Sequence, residues 1–96
     1  MTVREEAEED IASSVLWYAA HHQAERIPRF LAAIDDCFAF ILRSPQAAPR
    51  IERGYHQFPL RAFPYFVVYR VEGHEVVVLR VFHMRRDPKT KLRGRK

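Results

Sequence analysis

Apolar positions recur at helical spacing in the first half of the chain and at strand spacing in the second. Ala7, Ile11, Val15 and Tyr18 lie four, four and three residues apart, one face of a helix over roughly residues 4–22. Ile27, Phe30, Leu31, Ile34, Phe38, Ile41 and Leu42 form a second, stronger stripe. That helix should end near Arg43, because Ser44 precedes Pro45 and the residue before a proline is pushed out of the α region. Pro28 fits in its first turn, where a missing N–H costs nothing. The product is a helical hairpin broken near residues 22–26. After Pro45 the pattern changes. Pro45, Pro49 and Gly54 mark a loop, and Tyr55, Phe58 and Leu60 open β-like sequence around Pro59 and Pro64. Residues 65–71, YFVVYRV, are aromatic and β-branched, as strands prefer. Glu72-Gly73-His74 reads as a hairpin turn into a return strand over 75–82, EVVVLRVF. Arg70 and Arg80 interrupt these strands, so one face of the sheet reaches solvent or a partner. The reading is α+β: a helical hairpin on a small antiparallel sheet.

Composition changes little in this picture. Ninety-six residues, 48% hydrophobic and 29% charged, suit a single domain spanning 1–96. No apolar run approaches the roughly 20 residues of a membrane span, and the acidic start MTVREEAEED does not read as a secretory signal. The single cysteine, Cys37, allows no internal disulfide and fits a cytoplasmic location. It falls within the second helical stripe, beside Asp35 and Asp36, a setting for a core residue rather than a thiolate nucleophile.

Charge placement says more. The net charge is +4, yet residues 84–96 hold seven basic residues and one acid, so the rest of the chain is net negative. This basic tail suits nucleic acid, an acidic protein face or simple solvation. Glu5, Glu6, Glu8, Glu9 and Asp10 crowd the first helix, where acids favour the positive end of the helix dipole. His21 and His22 are adjacent, whereas a helical metal pair needs i, i+4 spacing. No cofactor or metal site is expected.

Ordered along the chain are Ala7-x-x-Asp10-Ile11, Trp17-Tyr18, Phe30-x-x-x-Ile34, Ser44-Pro45, Phe63-Pro64-Tyr65 with Val68-Tyr69, and Val81-x-His83-x-Arg85-Arg86-Asp87-Pro88. In this order and spacing the chain resembles the ParE branch of the RelE/ParE superfamily, the toxins of type II toxin–antitoxin (plasmid stabilisation) systems. The resemblance implies a β-α-α-β-β-β topology, although only Met1-Thr2-Val3 precede the charged run, so the first strand should be shortened or missing.

The resemblance also implies a function: binding and blocking DNA gyrase, with a ParD-like antitoxin as the neutralising partner in a hetero-oligomer. Target-binding residues would be His83, Arg85, Arg86, Lys89 and Arg93. Arginine forks suit carboxylates and phosphates, although Asp87 could instead pair with one of the two arginines while Pro88 ends the strand. Antitoxin-binding residues would be Ile11, Val15, Tyr18, Phe30 and Arg61. An alternative is the ribosome-dependent endoribonuclease activity of RelE-type relatives, using His83, Arg61 and the tail; another is a degenerate toxin surviving as a binding module. Ribonuclease chemistry needs a base, an acid and cations for the phosphate. Where one ribonuclease subgroup ends its last strand in His-Tyr, this chain has His83-Met84, and a thioether transfers no proton. Phe66 stands where that subgroup has an arginine. No catalytic residue is therefore assigned.

Overall fold

The computed structural model describes residues 1–85. A two-residue strand, β1 (Thr2–Val3), leads into helix α1 (Glu5–Ala20). A 3₁₀ turn (Ala24–Arg26) runs into helix α2 (Ile27–Arg43). Strands β2 (His56–Pro59), β3 (Tyr65–Glu72) and β4 (Glu75–His83) follow. The sheet order is β1-β4-β3-β2. The topology and the stunted first strand are as expected. The sheet, however, is mixed rather than purely antiparallel, because β1 pairs with β4 in parallel, Thr2 beside Val77 and Val3 beside Val78.

Local sequence explains each helix end. Glu5, Glu6 and Glu8 occupy the first turn of α1. Its other end lacks a glycine, so His22 takes the left-handed conformation (φ 60°). The Gln23 N–H then reaches back to the Tyr18 carbonyl at 2.9 Å, the long bond of a Schellman-type ending. Pro28 lies in the first turn of α2, and Ser44 is extended before Pro45 (φ −141°), which stops the helix.

The core lies between the helices and one face of the sheet. From α2 it takes Phe30, Ile34, Cys37 and Ile41, spaced four, three and four apart. The seven-residue stripe of α2 is wider than the face it buries, so Leu31 and Leu42 stand 39% and 52% exposed. From the sheet the core takes Tyr65, Val67, Tyr69, Val76, Val78 and Val81.

The step from Val78 to Val81 needs a β-bulge. Tyr69 pairs with Val78 but Val68 pairs with Arg80, which leaves Leu79 as an extra residue in β4. Strict alternation from Val76 would have carried Arg80 onto the core face; one inserted residue exchanges it for Val81. The β3–β4 turn is two residues long, with Gly73 at φ 63° in its first position, the type II′ arrangement that matches strand twist. Tyr69 and His56 anchor the loop that follows α2. The Tyr69 hydroxyl donates to the Pro45 carbonyl at 2.7 Å, and the His56 Nδ1–H donates to the Ala48 carbonyl at 2.9 Å.

Candidate functional site: the end of strand β4 and the helical face

Because β1 is so short, it covers only the start of β4's outer edge. The last backbone bond from that side is the Arg4 N–H to the Val78 carbonyl, 2.9 Å. Beyond it, α1 supplies Asp10. Its carboxylate accepts the Val81 N–H at 2.8 Å and grips the Arg80 guanidinium with two bonds, Nε at 2.8 Å and Nη2 at 2.9 Å. A helix side chain thus satisfies a strand edge that a longer β1 would have paired. The bulge at Leu79 is what turns Arg80 toward it.

β4 then runs out to His83. The imidazole packs edge-on against the Tyr65 ring, centroids 5.0 Å apart, and its Nδ1 accepts the Arg85 N–H at 3.0 Å. The Met84 N–H bonds to the Pro64 carbonyl at 2.8 Å. These contacts fold residues 83–85 into a fixed turn on the sheet end, with His83 half-buried and Arg85 exposed. Of the five predicted target-binding residues, the structure brings His83 and Arg85 together here. Arg86, Lys89 and Arg93 lie outside the described residues, as does Asp87.

The predicted antitoxin-binding residues divide. Ile11 and Val15 lie half-buried along α1 at the margin of the core. Tyr18 and Phe30, by contrast, are not surface residues in this fold: they are 3% and 0% exposed. Their rings, 5.5 Å apart, sit in one aromatic cluster with Phe63 and Tyr65, and Phe30 lies 4.9 Å from Tyr65. The resemblance assigned them to the docking face; helical period marks an apolar stripe without saying which part of it the sheet covers. Arg61 is exposed, but it belongs to the β2–β3 connection, beside α2.

Sequence periodicity missed the most exposed large apolar side chain of the hairpin, Leu16, at 69%. It falls between the α1 stripe positions, and the signal available was only that α1 is apolar beyond one face. Trp17, next to it, stacks on His21 at 4.0 Å, and the His21 Nδ1–H closes the helix end on the Trp17 carbonyl at 2.8 Å.

Acid–base and nucleophilic groups are sparse. Cys37 is 5% exposed, and burial pushes its thiol up to about 12, so it stays protonated near neutrality. The His83 Nδ1 is engaged as an acceptor. Among the described residues no three His, Cys, Asp or Glu side chains converge as a metal site, and no helix is long and apolar enough to cross a membrane.

The comparisons with known proteins agree with this architecture. The family model described as the ParE toxin of type II toxin–antitoxin system, parDE, matches residues 2–88. A solved structure, the chromosomal ParDE TA system from P. aeruginosa, matches with a TM-score of 0.74 and 22% sequence identity, over 86% of this chain and 95% of that chain. At that identity the likeness is one of fold. No curated protein sequence matches the chain.

Proposed function

The chain belongs to the ParE toxin family of type II toxin–antitoxin systems, and from that premise we propose that it acts by binding DNA gyrase, without bond chemistry of its own, and is neutralised by a cognate ParD-like antitoxin. The observation that carries this reading is the exit of β4. At this strand end His83 has Nδ1 committed to the Arg85 backbone and is followed by Met84, whose thioether transfers no proton. What the strand end offers is an exposed arginine on a turn held by two hydrogen bonds. A guanidinium on such a turn costs little ordering entropy when it meets a carboxylate or phosphate.

In this reading residues 1–96 form one domain acting in the bacterial cytoplasm. Docking of the antitoxin uses the outer surface of α1, where Ile11 and Val15 border exposed Leu16, and continues to Arg61. Apolar anchors at helical spacing are the usual substrate of helix-in-groove recognition.

The test is growth arrest on expression of the chain alone, followed by gyrase supercoiling with purified protein. Arrest with supercoiling blocked is expected. Codon-specific cuts in ribosome-bound mRNA, with supercoiling intact, would replace this reading by the ribonuclease one.

A further inference from the structure

The resemblance assigns His83 to target binding, yet the contacts of its imidazole are with its own chain. The ring stands edge-on to Tyr65, centroids 5.0 Å apart, and the residue is half-buried while Arg85 is exposed. Its Nδ1 lies 3.0 Å from the Arg85 backbone nitrogen. A backbone N–H only donates, so Nδ1 holds a lone pair, and the proton of the neutral ring sits on Nε2. The turn has a second support, the Met84 N–H bonded to the Pro64 carbonyl at 2.8 Å. The two bonds differ in one respect. A carbonyl oxygen accepts whatever the pH, whereas Nδ1 accepts only while the ring is neutral, because both nitrogens of an imidazolium are donors. In the charged ring the Nδ1–H and the Arg85 N–H point at each other, and a bond becomes a repulsion.

We infer that His83 is a positioning residue for Arg85: its neutral imidazole closes the turn that presents the guanidinium, and a proton gained by the ring opens it. The consequence for target binding rests on the gyrase reading, whereas the turn itself is observable with no partner present. The closed turn binds one proton fewer than the open one. It is therefore favoured on the alkaline side and lost as pH falls through the imidazole transition, within the range of about 5 to 8 where histidine changes charge. The groups that meet the imidazole are the Tyr65 phenol from β3 and Arg85 from the turn. Neither brings a carboxylate to the ring, so protonation gains no ion pair with either to replace the bond it loses. Arg80, three residues earlier on β4, is turned to Asp10 of α1 instead. The Met84 bond has no titratable partner, so β4 stays paired and the change is confined to the residues after it.

The experiment titrates the isotope-labelled full chain by NMR from about pH 8 to about pH 5, beside His83→Asn, His83→Phe and Asp87→Asn. Ring nitrogen shifts at the alkaline end should report the Nε2–H form of His83. The Arg85 amide proton should lose its hydrogen-bonded shift with the same midpoint as the His83 ring, while the Met84 amide keeps its own. Asparagine places an oxygen near the Nδ1 position and accepts at every pH, so His83→Asn should hold the turn closed throughout. His83→Phe keeps a ring for Tyr65 without an acceptor and should hold it open throughout. Supercoiling inhibition, read at each pH as the ratio of His83→Asn to the unaltered chain, should rise from about one to about fivefold toward acid, the loss of one hydrogen bond. His83→Phe should be weaker by a similar factor at every pH. The inference is overturned if the ring carries its proton on Nδ1, or if the Arg85 amide ignores the ring. It is also overturned if the transition vanishes in Asp87→Asn, which would assign it to that carboxylate, or if His83→Asn inhibits as poorly as His83→Phe at neutral pH, which would make His83 a direct contact. Absence of gyrase inhibition at every pH would remove the gyrase reading alone, with the amide titration still deciding the turn. Should His83→Phe fail to fold, the unaltered chain and His83→Asn decide it without that variant.

Discussion

Asp10 accepts three hydrogen bonds at once, one from the Val81 backbone and two from Arg80. Its side chain is 16% exposed and that of Arg80 is 31% exposed, so the pair is only partly screened. Removing the carboxylate leaves a strand-edge N–H and a guanidinium without their acceptor. Asp10→Ala should therefore cost about 2 kcal/mol, within the usual range for hydrogen bonds to charged groups. Asp10→Asn keeps an oxygen for Val81 and should cost about half as much. Urea unfolding of both variants checks this, and equal losses would mean that the neutral amide oxygen contributes nothing. Sequence gave partial notice of this residue. Asp10 stands in the Ala-x-x-Asp-Ile segment, but its partner is 70 residues away and faces it only because of the bulge at Leu79. A bulge leaves no mark in the alternation of EVVVLRVFH beyond an arginine at a position that strict pairing would bury. Tyr18 and Phe30, which the resemblance assigned to the antitoxin, are buried for a related reason: periodicity reports that a face is apolar, whereas burial depends on which element covers it.

Among the elements, the helices and the β3–β4 hairpin were legible because each satisfies a local rule: a period, a stop at Ser44-Pro45, a glycine in the turn. What local rules do not contain is pairing at a distance, and β4 is governed by it. Deleting Leu79 removes the extra residue and leaves Val78, Arg80 and Val81 opposite Tyr69, Val68 and Val67 in unbroken pairing, with Arg80 and Phe82 still off the core face and Val81 still on it. That variant should keep a cooperative thermal transition, as should the side-chain truncation Leu79→Ala, which preserves the bulge. Loss of the transition in the deletion variant alone would show that the bulge itself, and not only the facing of the residues beyond it, is required. β1 depends on a smaller device. The Thr2 hydroxyl donates to the Glu75 carboxylate at 2.6 Å, and the Met1 ammonium lies 3.4 Å from the same oxygen. Both favour the ionised form, so the Glu75 pKa is held below its ordinary 4.5. A depressed carboxyl pKa stabilises the docked strand above pH 4.5, and the contribution is lost as pH falls through the lowered folded value. The backbone signals of Thr2 and Val3 should titrate with a midpoint below 4.5 and become flat in Glu75→Gln. A midpoint at 4.5 or higher would dissociate Glu75 from strand docking.

At the scale of the molecule, one short connection ties the two candidate surfaces together. Phe63 packs on Tyr18 and Phe30 of the helical hairpin, the Pro64 carbonyl holds the Met84 N–H, and Tyr65 packs against His83. The hairpin and the turn that presents Arg85 are therefore joined through three consecutive residues. In the proposed reading the helical face supplies most of the antitoxin affinity and the arginine little of it. On this view the two interactions are separable by charge. Arg85→Glu replaces an exposed cation with an anion and touches neither the core nor the α1 surface, so stability should change by no more than about 0.5 kcal/mol. Against gyrase, however, reversal turns an attraction into a repulsion at a contact that the proposed function places near the centre of binding. Inhibition of supercoiling should weaken at least tenfold, with growth arrest relieved to match. Affinity for the antitoxin should stay within about threefold, because apolar anchors rather than this charge dominate that contact. Isothermal titration with the antitoxin, beside the supercoiling assay, separates the outcomes. Parallel loss of both activities in a folded variant would mean that Arg85 belongs to the antitoxin interface and that neutralisation is direct competition for one residue.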